Sequence, residues 1–454
     1  MPTQEVIPII RPIGSTLAIL PALTRTAAAQ DDRWQVALAA LSDAVGERAG
    51  GGVVRRSLLA VGMALAMAGT ARAQVPASHL GTEGLAPDSA FRRAGPVLRW
   101  NVVTRELIGR DLAARQGRPV HATFYDGNNN TRLYALVSGA QYDALRTATR
   151  DGEGEMAAVA AAAAVLGTVF SREAAYLARQ LAGERKRLGG RDLPSASIRA
   201  GEQAGHVAAR RWRADAAREL RAPPWSGPGP SGSGRWGTDG GPPSLAISLG
   251  LRPWFLASRD QFRPPPPPAP GTTDFTAALT AVRLATERRS RAETRATWTW
   301  ARNAATLWNE IAGEVMLRNR LPEPEAARAL MYLNMALSDA TIACWDAKLT
   351  YWLPRPSQVD STLDLSVPLP NFPAYPSAHA TLFAAGAAVL GHLVPAEQAT
   401  LDSLAREATM SRLWAGVHYP FDNEAGTRLG HQVAEAALAI LDAEHGSDPH
   451  TVSR

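Results

Sequence analysis

Three short motifs near the C-terminus combine cations, hydroxyl groups and imidazoles. They are Lys348 with Arg355-Pro356, then Pro376-Ser377-Ala378-His379, then Ser411-Arg412 with His418 and Asp422. Two guanidinium groups and an ammonium can neutralise a phosphate-like ion, and a hydroxyl can hydrogen-bond to it. One imidazole can attack the central atom while a second moves protons. The combined pattern predicts a pocket for a tetrahedral oxyanion.

The lysine of the first motif is informative because lysine is rare in this chain. Of 48 basic side chains, only Lys186 and Lys348 are lysines. A guanidinium is planar and has its N–H donors in a fixed geometry, whereas an ammonium is a compact charge with three rotatable donors. Lysine at this position therefore indicates a place where a point charge is needed.

The composition of the 454-residue chain is that of a globular protein, with 46% hydrophobic residues. The net charge is +6, but the arginines are spread along the chain and many alternate with acidic residues. This pattern is typical of solvated helix faces, so we expect no nucleic-acid partner. The single cysteine, Cys344, excludes an intrachain disulfide and is expected to be a core residue.

The N-terminal part has the pattern of an export signal. Arg55-Arg56 precede an apolar run from Leu58 to Gly69, and Ala71-Arg72-Ala73 would flank a cut before Gln74. We expect residues 53–73 to be the signal, residues 1–52 to be an upstream extension, and the protein to be exported, periplasmic or secreted. The arginine pair also fits the twin-arginine route. The alternative is an apolar helix in an ordinary N-terminal domain.

Beyond the signal, the chain is predicted to be mostly helical, with no stable membrane span. Residues 74–222 form an N-terminal helical region, residues 223–272 a connector rich in proline and glycine, residues 273–446 a catalytic helical bundle, and residues 447–454 a tail. In the first region we expect helices over Val97–Gln116, Met156–Arg187 and Ser197–Leu220, with an irregular segment over Gly117–Asn130.

The predicted helices place the motifs at their ends. One long helix over Glu323–Leu353 would end at Pro354 and bring Lys348 close to Arg355, since seven positions are almost two turns. Trp345, three residues before the lysine, would be either a pocket wall or part of a helix packing seam. Another helix is expected to begin after Ser377 and to run to about Leu393.

Ser377 at that start is either only an N-cap or part of an anion site, because the free N–H groups of Ala378 and His379 would point out of the helix. In the third motif, a helix from about Ala396 would end near Gly416, and Asp422 would start the next helix. Asp422 is then either an N-cap or the acceptor of a proton from His418. A surface ion-pair cluster is the remaining alternative for this motif.

These motifs resemble those of the superfamily that joins vanadium-dependent haloperoxidases to type 2 phosphatidic acid phosphatases and bacterial acid phosphatases. The main region is Lys348 to Asp422, and a looser likeness extends to Trp308-Asn309, Cys344-Trp345-Asp346 and the proline-rich Gln261 to Pro268. The segment from Phe372 to Ser377, with His379-Ala380-Thr381, is especially similar to chloroperoxidase-type enzymes. Together with Trp345, it favours a peroxidase.

The resemblance implies an all-α fold of helical bundles, here with proline-rich irregular connections, and a role for each motif residue. His418 would bind the vanadium of vanadate or, in a phosphatase, become phosphorylated, and Asp422 would orient it. His379 would act as acid and base. The remaining positions implied by the resemblance are the oxyanion-binding Lys348, Arg355, Ser377, Ala378 and Arg412, and the pocket wall of Trp345 and Phe372. The family usually has glycine in place of Ala378, and the added methyl group is expected to crowd an oxygen.

Two chemistries share such a pocket, because vanadate and phosphate are both tetrahedral oxyanions. As a peroxidase, the protein would use a vanadate cofactor to oxidise halide with hydrogen peroxide, and Lys348 would withdraw charge from the peroxide. As a phosphatase, it would hydrolyse a soluble phosphate monoester through a phosphohistidine and need no cofactor. A third hypothesis is a non-catalytic protein that binds anions. A protein that only binds anions would not need two histidines in distinct roles.

Overall fold

The computed structural model describes residues 91, 93–114, 130–148, 153–190, 193–219, 232, 234–237 and 250–446, and every element in these residues is helical. The predicted all-α fold is therefore confirmed. The extension 1–52, the export signal 53–73 and the tail 447–454 lie outside the described residues. The N-terminal helices are α1 (Pro96–Ala114), α2 (Asn130–Thr147), α3 (Glu153–Val169), α4 (Ala174–Gly189) and α5 (Ser195–Glu219).

The C-terminal part contains the helices that carry the motifs. They are α6 (Thr273–Glu287), α7 (Arg291–Thr299), α8 (Ala304–Arg318), α9 (Glu323–Tyr351), α10 (Pro356–Val359), α11 (Ala378–Leu393), α12 (Gln398–Trp414) and α13 (Pro420–Gly446). Single 3-10 turns at Ser171–Glu173 and Pro395–Glu397 precede α4 and α12. Helix α13 begins at Pro420, two residues before the predicted Asp422, because proline is well suited to the first position of a helix.

Helix α9 lies at the centre of the fold and is buried along most of its length. One side packs with α8, α11 and α13, and the other contacts the N-terminal helices α1 and α2. Since both sides face apolar cores, its sequence is apolar all round rather than amphipathic. The helix ends at Tyr351, close to the predicted Leu353, where Trp352 adopts a left-handed conformation with φ 51° and Pro354 follows.

The N-terminal helices share an apolar core with the motif-bearing helices. Leu136 of α2, Tyr332 of α9 and Leu441 of α13 belong to the same buried cluster. A buried ion pair between Arg99 and Glu184 joins α1 to α4. Helix α3, the most apolar helix of this part, is covered by α2 and α5. None of the helices in the described part of the chain combines the length and apolar character needed to cross a bilayer.

The single helix predicted over Met156–Arg187 is wrong, because the structure contains two. Helix α3 ends at Val169, and Phe170 has a non-helical backbone with φ −111° and ψ 55°. Gly167, Thr168 and Val169 are poor helix formers, so the break occurs where the helix is intrinsically weakest. Helix α2 was not predicted, and its buried residues include polar ones such as Asn130, Arg132 and Gln141, types that are mostly found at the surface.

Two glycines of α13 allow this helix to contact α11 closely. A Cβ atom on Gly426 would lie 2.5 Å from the carbonyl oxygen of Ser377, and one on Gly430 would lie 2.3 Å from that of Thr381. Both obstacles are backbone atoms, so neither can move away independently. The contact fixes the distance between the start of α11 and the start of α13, where two of the three motifs lie.

Replacing Gly430 with alanine is expected to lower the free energy of unfolding by about 1–3 kcal/mol, because the methyl group would force the helices apart. Denaturant unfolding followed by circular dichroism measures this change. The matched control is Gly109→Ala in α1, where a Cβ atom would meet nothing within 4 Å. Since alanine favours helix, the control should be neutral or stabilising. Equal stability of Gly430→Ala and the wild type would contradict the proposed close contact.

Candidate active site

The fold brings the three motifs together at the ends of five helices. Lys348 lies in the last turn of α9, Arg355 caps α10, and Ser377 caps α11. Arg412 lies in the last turn of α12, and His418 follows in the connection to α13. All five side chains are buried, with exposed fractions of 3% or less. This burial argues against the alternative of a surface ion-pair cluster for the third motif.

The hydrogen bonds of His418 define which of its ring nitrogens carries the proton. Nε2 lies 2.9 Å from Nη1 of Arg355, and Nδ1 lies 2.9 Å from Oδ2 of Asp422. A guanidinium can only donate, so Nε2 is the acceptor and Nδ1 carries the proton that is donated to the carboxylate. Burial, together with Arg355 and Lys348, holds the pKa of His418 well below its usual range. His418 is thus a neutral imidazole with a lone pair on Nε2.

Asp422 holds His418 in this orientation from the first turn of α13. Its Oδ2 also accepts a hydrogen bond from the backbone N–H of Tyr419 at 3.0 Å. Burial raises the pKa of Asp422 to about 7, and the positive charges of Lys348 and Arg355 oppose that rise. Asp422 therefore both caps the helix start and orients the imidazole, so the two alternatives from the sequence coexist.

Lys348 supports the segment that leads into α11. Its Nζ atom donates to the carbonyl oxygens of Pro373 at 2.8 Å, Ala374 at 2.8 Å and Pro376 at 2.5 Å. Only an ammonium can donate three such bonds, although burial lowers the pKa of Lys348 to about 7. A direct contact of Lys348 with an anion stays a prediction, because these carbonyl groups occupy its three N–H bonds.

The two guanidinium groups of the site lack carboxylate partners. Arg355 donates to the carbonyl oxygens of Phe372 at 2.9 Å and Val417 at 2.8 Å, and its Nη2 is buried without a partner. Arg412 donates to the Ser411 hydroxyl at 3.0 Å and to the carbonyl oxygen of Thr297 at 2.8 Å. Burial lowers the pKa of Arg355 to about 10 and that of Arg412 to about 9.

Within the residues that the structure describes, neither arginine forms an ion pair. Burying a charge without a counter-ion is costly unless a ligand provides one. The site therefore fits an anion.

The N-terminus of α11 adds further donors. Ser377 caps this helix, since its hydroxyl accepts from the N–H of Ala380 at 3.4 Å, and its own N–H donates to the carbonyl oxygen of Asp422. His379 follows in the first turn, and its Nε2 is buried without a partner. Burial and the nearby Arg412 hold the pKa of His379 well below its usual range, so this imidazole is also neutral.

Ala378 is 5% exposed and belongs to the apolar cluster that includes Trp345 and Phe383. Its methyl group therefore contributes to that core. The expected crowding of an anion oxygen by this methyl stays a prediction.

The two predicted wall residues lie beside the cations. The ring centroids of Trp345 and Phe372 are 5.2 Å apart. Nζ of Lys348 is 5.2 Å from the Phe372 centroid and 5.8 Å from the Trp345 centroid, and the guanidinium of Arg355 is 4.9 Å from the Phe372 centroid. These rings limit access of water to the cations and strengthen their electrostatic effect.

Sequence reasoning missed the residues that hold the Phe372–Ser377 segment from outside. Tyr375 donates its hydroxyl to the carbonyl oxygen of Pro265 at 2.7 Å, and Tyr351 donates to that of Pro264 at 2.6 Å. Proline has no N–H, so the carbonyl groups of this run need donors from elsewhere. The proline run itself was the only signal in the sequence, and it did not identify the partners.

A salt bridge anchors the same proline run to α9. Arg263 donates from Nε to one oxygen of Asp346 at 2.6 Å and from Nη2 to the other at 3.0 Å. Asp346 is two residues before Lys348, so the lysine and the proline run are held by the same turn of helix. Thr297, whose carbonyl oxygen receives Arg412, was equally hidden from sequence reasoning.

Taken together, the site offers buried cations, a helix N-terminus, a lone pair on His418 and an unpartnered nitrogen on His379. Apart from Asp422 and the lone pair of His418, these groups can donate hydrogen bonds or favour negative charge. A tetrahedral oxyanion such as vanadate or phosphate fits this set, because its oxygens are acceptors and its central atom can be reached by Nε2 of His418. Arg355 Nη2 would gain the partner it lacks.

Comparisons with known proteins agree with this geometry. A family model described as the VCPO second helical-bundle domain matches residues 392–445. A crystal structure of the first bacterial vanadium-dependent iodoperoxidase is 20% identical with a TM-score of 0.60, and covers 75% of this chain and 95% of that one. The apo-type structure of a bacterial vanadium-dependent chloroperoxidase is 15% identical with a TM-score of 0.56, covering 71% of this chain and 96% of that one.

A holo-type structure of a bacterial vanadium-dependent chloroperoxidase is 14% identical with a TM-score of 0.54, and covers 81% of this chain and 96% of that one. No protein of curated function matches the sequence. At these identities the structures establish a shared fold, and the family model independently covers the helices that carry Arg412, His418 and Asp422. In fold the chain is therefore similar to bacterial vanadium-dependent haloperoxidases, and over residues 392–445 its sequence is similar to the VCPO second helical-bundle domain.

Proposed function

We propose that the protein is a vanadate-dependent haloperoxidase that oxidises halide with hydrogen peroxide. The observation that carries the proposal is the lone pair of His418 Nε2, fixed by Asp422 and placed beside buried guanidinium groups that lack carboxylate partners. Support for the peroxidase over a phosphatase comes from the apolar wall of Trp345 and Phe372 beside the cations. The structural neighbours are also described as vanadium-dependent peroxidases.

His418 would hold vanadate through Nε2, while Arg355, Arg412 and the N-terminus of α11 would bind its oxygens. Bound vanadate would supply the Lewis acid that activates hydrogen peroxide for oxygen transfer to bromide or chloride. Arg355 would have to release Nε2 of His418 and direct its donors to the anion. Lys348 would act through the field of its charge and through the segment whose carbonyl groups it holds.

His379 is suited to move the protons of the reaction. Its imidazole is neutral, so at neutral pH it can accept a proton, and its Nε2 is free of protein partners. A proton taken from hydrogen peroxide would convert His379 to a positively charged imidazolium, and the nearby Arg412 would disfavour that charged form. His379 would therefore give up the proton readily in the next step.

A phosphatase is the alternative that the same lone pair supports. His418 would attack phosphorus, His379 would protonate the leaving alcohol, and water would hydrolyse the phosphohistidine. No cofactor would be needed. The third hypothesis, a protein that only binds anions, would leave the neutral His379 and the free Nε2 of its ring without a purpose.

The decisive experiment measures bromination of phenol red by the purified protein, with hydrogen peroxide and bromide, before and after adding orthovanadate. We expect turnover only with vanadate. Hydrolysis of p-nitrophenyl phosphate is measured on the same sample, and orthovanadate should inhibit it if the pocket is a phosphatase site. Phosphatase activity without bromination would overturn the peroxidase proposal, and absence of both activities in a folded protein would favour the binder.

Replacing His379 with alanine separates catalysis from anion binding. We expect bromination to fall by about 100-fold or more, because a positioned proton acceptor contributes on that order. Orthovanadate affinity, measured by calorimetry, should change little. The control is His392→Ala, which removes a half-exposed histidine near the other end of α11 that pairs with Asp442. An unchanged rate in His379→Ala would remove this residue from the mechanism.

The affinity of the site for an oxyanion should fall as pH rises. Burial lowers the pKa of Lys348 to about 7, Arg355 adds to this fall, and Cys344 and Asp422 oppose it. Below that pKa the ammonium attracts an anion, and above it the neutral amine does not. Sulfate is the suitable probe, because its charge does not change between about pH 6 and about pH 9.

Calorimetric titration with sulfate should give weaker binding above pH 7 for the wild type. In Lys348→Met the binding should be weaker throughout, and only the smaller pH dependence that Asp422 contributes should remain, because the pKa of Asp422 is also raised to about 7. Lys186→Met is the control, because it removes the other lysine, which lies in α4. An undiminished pH dependence in Lys348→Met would assign the titration to Asp422 or another group.

A further inference from the structure

A second cationic cleft lies outside the three motifs, between the C-terminal half of α5, the start of α2 and the segment after Leu251. Its volume is about 370 Å³, within the range of cavities that hold small organic ligands. The side chains that line it carry four guanidinium groups and one carboxylate. They are Arg132, Arg211, Arg218, Arg252, Asp215 and Trp254. None of them belongs to the oxyanion pocket described above.

One wall of this cleft is held rigidly by the central helix. The buried carboxylate of Asp339 in α9 accepts backbone N–H groups of Trp254 at 2.8 Å and of Phe255 at 2.8 Å. Phe255 stacks on Tyr332, with ring centroids 5.6 Å apart. Burial of Asp339 raises its pKa to about 6, and the backbone donors oppose that rise. The loop that presents Trp254 is therefore fixed by α9.

Two tryptophans hold two of the arginines in place. The guanidinium of Arg132 lies 4.0 Å from the ring centroid of Trp254, and that of Arg211 lies 5.1 Å from the ring of Trp212. The two indole rings are themselves 5.0 Å apart. Arg132 also donates to the carbonyl oxygen of Arg252 at 3.1 Å. Guanidinium groups that are held before binding lose less entropy when a ligand arrives.

The polar groups of the cleft are mostly hydrogen-bond donors. Asp215 is paired with Arg218 at 2.9 Å. In the part of the chain that the structure describes, no carboxylate forms an ion pair with Arg211 or Arg252. Among the described residues, none hydrogen-bonds to the buried Nε1 of Trp254. A ligand that completes this set must bring acceptors and negative charge.

We propose that this cleft is a second binding site, specific for a small polyanion that carries a diphosphate or two phosphoryl groups. Several guanidinium groups around one cleft suit phosphate oxygens, which accept bidentate hydrogen bonds from arginine. The volume exceeds what a single tetrahedral anion requires. The site is independent of the chemistry at His418, and it holds for a peroxidase and for a phosphatase alike.

The test is a calorimetric titration of the full-length protein with inorganic pyrophosphate. We expect a binding event that weakens by about tenfold or more in Arg211→Gln/Arg252→Gln, since the variant loses charge-assisted hydrogen bonds to the phosphate oxygens. Both arginines are exposed, so the variant should fold, which circular dichroism checks. Arg210→Gln is the matched control, because it removes an exposed arginine of α5 that does not line the cleft.

Orthovanadate affinity, titrated in the same variants, shows which site is affected. It should be unchanged in the double variant, because the oxyanion pocket is intact. Pyrophosphate isotherms that are identical for the wild type and the double variant would overturn the proposal, and so would the absence of pyrophosphate binding. An equal loss in Arg210→Gln would show that only the overall charge of α5 matters, and this would also overturn it.

Discussion

The arrangement of the site depends on burying three positive side chains without a carboxylate to neutralise each of them. Lys348, Arg355 and Arg412 are each 3% exposed or less, and their protein partners are mostly carbonyl oxygens. A carbonyl dipole orients a cation but carries no net charge, so the electrostatic cost of burial is only partly offset. Asp422 is the single buried carboxylate among the motif residues, and His418 and Tyr419 engage one of its oxygens. The remaining positive potential is what selects an anion.

The need to place carbonyl groups around buried cations explains several features of the fold outside the motifs. Carbonyl groups can face cations only where the backbone is not helical, so the site uses helix ends and the Phe372–Ser377 segment. That segment is held by Lys348 on one side and by Tyr351 and Tyr375 through the proline run on the other. The glycines of α13 then bring His418 and Asp422 to the start of α11. Donors that are already held in place reduce the rearrangement needed when charge develops on a substrate, although Arg355 must still release Nε2 of His418.

Sequence reasoning predicted the parts of this arrangement that depend on local spacing. The helix carrying Lys348, the capping role of Ser377 and the His418–Asp422 contact all follow from residues within one or two turns of each other. The three carbonyl partners of Lys348 and the Thr297 partner of Arg412 could not be predicted, because they depend on contacts between distant segments. Helix α2 was missed for a related reason, since the polar residues Arg132 and Gln141 are buried there by contacts with distant segments.

The tautomer of His418 is compatible with both peroxidase and phosphatase chemistry. Because Arg355 must donate to Nε2 and Asp422 must accept from Nδ1, the protein presents a lone pair without any change of pH. A lone pair in a field of cations can coordinate vanadium or attack phosphorus, so the tautomer alone does not choose between them. The choice depends on what surrounds the anion. Trp345 and Phe372 place apolar rings on the cation side, and this apolar wall is the feature on which the proposal of a peroxidase over a phosphatase rests.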